Sequence, residues 1–89
     1  MEERIALISI IVEDWDSVED LNQLLHDYSE YIMGRMGLPC SDKGLNLISI
    51  AICADGDKIS ALSGKLGRLK GINTKTVYAK TGKKNDENT

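Results

Sequence analysis

The apolar positions of this chain fall into two rhythms. Arg4 to Val12 (RIALISIIV) is a nearly unbroken run of β-branched and other aliphatic residues and reads as a buried strand. Glu13-Asp14-Trp15-Asp16 interrupts it. Val18, Leu21, Leu24, Leu25 and Tyr28 then recur at intervals of three and four, which predicts an amphipathic helix over Ser17 to Ser29. Asp16 is placed as its N-cap, with Glu19 three residues on, a variant of the capping box. Tyr31 to Leu38 (YIMGRMGL) reads as a second strand, in which Gly34 and Gly37 signal a bulge or a close backbone approach. Pro39 to Gly44 reads as a loop. Leu45 to Ala54 (LNLISIAICA) is a third, strongly apolar strand, ended by Asp55-Gly56-Asp57, which offers a cap. Ile59, Leu62, Leu66 and Leu69 mark one face of a second helix ending near Lys70, with Gly71 at C′. Ile72 to Lys80 (INTKTVYAK) alternates as a last strand. Thr81 to Thr89 (TGKKNDENT) holds no apolar residue and is expected to be a mobile polar tail.

The order β-α-β-β-α-β predicts an α+β fold of the ferredoxin-like kind: a four-stranded antiparallel sheet with two helices on one face. Right-handed crossovers place the first and third strands in its centre. Two helices cover one face only, yet both faces of the central strands are apolar. One set is Ala6, Ile8, Ile10 and Val12 with Ile48, Ile50, Ile52 and Ala54. The other is Ile5, Leu7, Ser9 and Ile11 with Leu45, Leu47, Ser49, Ala51 and Cys53. A wet face of an antiparallel sheet should be polar, and a contiguous apolar patch marks an interface. The expectation is a homodimer or homotetramer meeting through Leu7, Ser9, Ile11, Gly34, Leu47, Ser49 and Ala51. The alternative is a monomer in which the tail or neighbouring loops shield this face.

The 89 residues suffice for one domain, assigned to residues 1–80 with the tail at 81–89. So small a core is marginal, and association is one way to enlarge it. The net charge of -3 and the scarcity of aromatics (4%, no Phe) argue against direct nucleic-acid binding, which needs concentrated Lys and Arg or stacking platforms. The first apolar run is too short to span a bilayer and lacks the basic start of a secretory signal, so the expected compartment is the cytoplasm, away from membranes. Two cysteines make no disulfide framework.

Several residues carry candidate chemistry. Arg35, between Gly34 and Met36 in an apolar strand, has the planar fork to clamp a carboxylate or phosphate, or else pairs with an acidic neighbour at a strand edge. Glu13, Asp14 and Asp16 around Trp15 suit a cation, or else helix capping and a solvated loop. Ser60, Ser63 and Gly64 open the second helix, where small residues receive an anion or else allow close packing; Gly67 fits the packing reading. Cys40 is expected in a loop and Cys53 buried in a central strand, and with His26 on a polar helix face they form no metal constellation. No base, nucleophile and metal ligands combine into a catalytic set, and no cofactor is called for.

EYIMGRMGLP (Glu30 to Pro39), ISALSGKLGRLKGINTKTVYAK (Ile59 to Lys80) and RIALISIIVED (Arg4 to Asp14) resemble the family of regulators of the iron-only hydrogenase system, over nearly all of residues 3–80. The resemblance implies an ACT-like ferredoxin fold, similar to the effector-binding domain of nickel-responsive repressors. It also implies self-association and a regulatory role in hydrogenase-bearing anaerobic metabolism. In such folds a ligand lies between the loop after the first strand and the second helix of an adjacent subunit, which adds Asp14, Trp15, Ser60, Ser63 and Gly64 to Arg35 as ligand-binding candidates. Two departures matter. ACT domains that bind amino acids carry Pro-Gly in the loop where this chain has Glu13-Asp14-Trp15-Asp16-Ser17, and nickel-responsive domains need several histidines where this chain has His26 alone. The resulting expectation is a regulatory module acting through a small-molecule effector or a protein partner, with any transcriptional effect passing through that partner. The alternative is an assembly module without a ligand, and an enzyme ranks third.

Overall fold

A computed structural model describes residues 2–80; the expected tail, 81–89, lies outside the described residues. The elements are β1 (Glu3–Val12), α1 (Val18–Asp27), β2 (Ile32–Cys40), β3 (Leu45–Asp55), α2 (Gly56–Gly67) and β4 (Ile72–Tyr78). The four strands form one antiparallel sheet in the order β2-β3-β1-β4, with both helices against one face. This is the ferredoxin-like α+β architecture, with β1 and β3 central as the crossover rule requires.

The helix-facing residues of the central strands form the core. Ala6, Ile8, Ile10 and Val12 of β1 pack with Ile48, Ile50, Ile52 and Ala54 of β3, under Leu21 and Leu25 of α1 and Ile59, Leu62 and Leu66 of α2. Each fully buried Ile or Leu side chain contributes about 1.5–3 kcal/mol of transfer free energy.

The joints differ from the sequence reading in instructive ways. Asp16 is not the N-cap of α1. A 3-10 turn, Trp15–Ser17, precedes the helix, and Asp14 caps that turn by accepting the Asp16 N–H at 2.9 Å. Ser17, next in line, is buried and donates its hydroxyl to the Lys70 carbonyl at 2.6 Å. Helix α1 also stops at Asp27, and a second 3-10 turn, Ser29–Tyr31, leads into β2. Strand β2 runs on through Pro39 and Cys40, both expected in a loop. Proline is tolerated there because β2 is an edge strand with one row of amides unpaired. The expected bulge is present, between Ile32 and Gly34.

Helix α2 starts as expected, with Asp55 accepting the Lys58 N–H at 3.0 Å. It ends at Gly67, so Gly71 is not its C′ residue. Gly71 instead closes the turn before β4 with φ +70°, a conformation that favours glycine. A Cβ there would run into Asp14, whose backbone nitrogen would lie 2.9 Å away. The Gly71 carbonyl accepts the Glu13 N–H at 2.7 Å. The β1–α1 and α2–β4 connections are thereby tied to each other.

Candidate functional site

Among the described residues nothing covers the face of the sheet opposite the helices. The strand register arranges it in rows across β2, β3, β1 and β4: Leu38-Leu47-Ile11-Asn73, Met36-Ser49-Ser9-Lys75 and Gly34-Ala51-Leu7-Val77. Met36 and Leu38 are 69% and 63% exposed, and Leu7 is 50% exposed. Between β1, β3 and β2 the twist leaves a shallow apolar groove of about 320 Å³, lined by Ile11, Met36, Leu38 and Leu47 and floored by Ser9 and Ser49. All seven residues read from the sequence as an interface lie on this one face. Ile5, Met36, Leu38 and Val77 complete it. The sequence signal for Met36 and Leu38 was the phase of β2 itself: with Gly34 on the open face, period-2 alternation puts them there too.

Gly34 and Gly37 have open space where a side chain would stand. No neighbour among the described residues requires them to be glycine.

The six residues read as ligand-binding do not meet in one chain. Asp14 and Trp15 lie beyond the end of β1. Asp14 caps its own turn and lies 3.6 Å from the exposed Lys70 ammonium, an ion pair that adds little in water. Trp15 is half exposed, and its indole N–H donates to the Gly44 carbonyl at 3.0 Å, pinning the turn before β3. Ser60 is exposed on α2. Ser63 accepts the Thr76 hydroxyl at 3.0 Å, joining α2 to β4. Gly64 has open space around it, whereas a Cβ on Gly67 would touch the Thr74 hydroxyl at 3.4 Å, so the close approach of α2 to the sheet is at Gly67. Arg35 lies at the opposite edge of the sheet, on β2, with its side chain on the helix side: its register partner is the buried Ile50.

The cysteines also depart from expectation. Cys40 ends β2, and Cys53 is half-buried on the open face, opposite Ile5, rather than in the core. Desolvation pushes the Cys53 thiol above its ordinary pKa, and the nearby Glu3 carboxylate, which accepts its weak hydrogen bond at 3.7 Å, adds to the shift. The shift favours the thiol over the thiolate, which is the nucleophilic form. Among the described residues no three of His, Cys, Asp and Glu gather closely enough to hold a metal ion, the Glu13-Asp14-Asp16 trio included. No helix there is long and apolar enough to cross a membrane.

These features define a class: a small ferredoxin-like α+β module of the ACT-like kind, with one sheet face left open by the described residues. Residues 4–76 match the model of the TM1266-like family, described as "Iron-only hydrogenase system regulator, putative". The chain belongs to this family. It is similar in structure to the uncharacterized protein TM1266 from Thermotoga maritima, with a TM-score of 0.85 and 38% identity, over 89% of this chain and 100% of that one. A protein named "Putative nickel-responsive regulator 2", from Methanothermobacter thermautotrophicus, is 36% identical over 72 residues. Those residues are 79% of this chain and 51% of that protein, so the chain spans about half of that relative's length. A protein of unknown function from Galdieria sulphuraria shares the fold, with a TM-score of 0.61 at 18% identity over 88% of this chain and 46% of that one.

Proposed function

We propose that this chain is a regulatory module of the iron-only hydrogenase system that self-associates through its open sheet face and carries its signal by binding rather than by catalysis. One observation carries the reading: the open face is predominantly apolar over β2, β3 and β1, with Val77 of β4 extending it. Its exposed Ile5, Leu7, Ile11, Met36, Leu38 and Val77 side chains lie on one face, the kind of contiguous apolar surface that marks an interface.

A second copy is the occupant that fits. At the centre of the face the Ser9–Ser49 pair separates two aliphatic patches. A twofold axis lying between two sheets and passing over this pair would set the aliphatic residues of one copy against those of the other. Lys75, the charged residue in these rows, lies on the outer strand β4, at the rim, where charge stays hydrated.

The regulatory half of the reading is tested in the organism that carries the chain. Deletion is expected to alter hydrogenase expression or activity, and a Leu7→Glu chromosomal variant to reproduce the deletion. Hydrogenase levels unchanged by deletion would contradict it.

A further inference from the structure

A second concavity lies on the other side of the sheet, away from the open face. Helix α1 and the edge strand β2 leave a groove between them of about 370 Å³, lined by Asn22, Leu25, His26, Ser29, Ile32 and Arg35. Its lining is divided. Leu25 and Ile32 form an apolar floor continuous with the core. Asn22, His26 and Ser29 recur at intervals of four and three, so their side chains follow one stripe along α1 and into the turn after it. Arg35 closes the far wall.

Arg35 brings a permanent positive charge, and among the described residues its guanidinium has no ion pair or side-chain hydrogen bond. The acidic neighbours do not supply one. Asp27 is turned to the other side of α1, where it accepts the Gln23 amide at 2.9 Å, and neither Asp27 nor Glu30 lines the groove. The volume is at the small end of the range for ligand sites, which combine apolar walls with a few convergent polar groups.

We propose that this groove binds a small organic carboxylate bearing an oxo or hydroxyl substituent. The carboxylate would lie on the Arg35 fork, which matches its two oxygens. Its short carbon chain would rest on Leu25 and Ile32, and the Asn22, His26 and Ser29 side chains would meet the substituent. The apolar floor is what separates this ligand from inorganic phosphate. The site belongs to a single chain and lies on the helix side of the sheet, so a partner on the open face leaves it accessible. The proposal therefore goes beyond the self-association reading, and the two fail separately.

The test is an amide chemical-shift titration of the full chain with 2-oxobutyrate and 2-hydroxybutyrate, and with inorganic phosphate as control at matched ionic strength. Titration to about 10 mM covers dissociation constants near 1 mM. The expected result is saturable shifts confined to α1 and β2 with the organic acids and none with phosphate. Arg35→Gln is expected to abolish them, and Arg35→Lys, which keeps the charge but loses the fork, to weaken binding at least tenfold. Three results would overturn the proposal: no saturable shift with either acid, equal shifts with phosphate, or binding unchanged in Arg35→Lys. Both variants alter an exposed side chain that has no ion pair among the described residues, and the amide spectrum itself reports whether folding is intact.

Discussion

Gly71 lies against Asp14, two residues beyond β1 and one residue before β4, so closely that no side chain fits between them. The Glu13 amide donates to the Gly71 carbonyl beside this contact, and the Ser17 hydroxyl donates to the Lys70 carbonyl. In the folded chain these contacts form a structural clasp between the β1–α1 and α2–β4 connections.

That clasp makes a prediction by contrast. Gly71 and Gly44 both have φ +70°, but a Cβ at Gly44 meets nothing. Gly44→Ala is expected to cost about 1 kcal/mol for its left-handed backbone alone. Gly71→Ala adds the collision with Asp14 and is expected to cost about 3 kcal/mol. Urea denaturation of the two variants measures the difference; equal costs would mean that the clasp is loose.

Ser60 and Ser63 were candidates together in the sequence, and the structure separates them. Ser63→Ala removes the partner of the Thr76 hydroxyl and is expected to cost about 0.5–1.5 kcal/mol. Ser60→Ala, on the exposed surface, is expected to stay within about 0.5 kcal/mol of the parent. Thermal or urea unfolding of the pair checks both.

Cys53 gives a pH dependence. Its folded pKa is raised above the ordinary 9.0 by desolvation and then by Glu3. A raised folded pKa means that the native state holds the proton longer than the unfolded chain does. The corresponding stability is fully present below the unfolded thiol's pKa and is lost as pH rises through the folded one. Stability is therefore expected to fall on the alkaline side, less steeply in Cys53→Ser. Alkylation of Cys53 is expected to need a higher pH than alkylation of Cys40, with Glu3→Gln narrowing the gap; mass spectrometry of iodoacetamide-treated protein resolves the two sites.

The fold was legible because the apolar periods changed cleanly from two to three-and-four and back, and because the βαββαβ order allows few arrangements. The apolar second face of β1 and β3 was equally visible, since Leu7, Ile11, Leu47 and Ala51 break the alternation that water would impose. The caps were less so. Asp14 and Asp16 are both good caps, and the choice between them depended on Gly71, 57 residues further along Asp14's chain, whose approach no local pattern encodes. The side on which Arg35 lies turned on the bulge between Ile32 and Gly34, which shifts the phase of β2 by one residue. The stripe of Asn22, His26 and Ser29 was present in the helical spacing, but it became a groove wall only when β2 was placed beside α1.

In the proposed assembly another copy of the chain covers the open face. Sedimentation equilibrium of the full chain, with Leu7→Glu alongside, tests it most directly. At about 100 μM the parent is expected to run as a dimer or larger, and the variant, which would bury a charge in an apolar interface, as a folded monomer with its affinity for itself lowered at least 100-fold. A parent chain that sediments as a monomer throughout this range, or a Leu7→Glu chain that associates as tightly as the parent, would contradict the account.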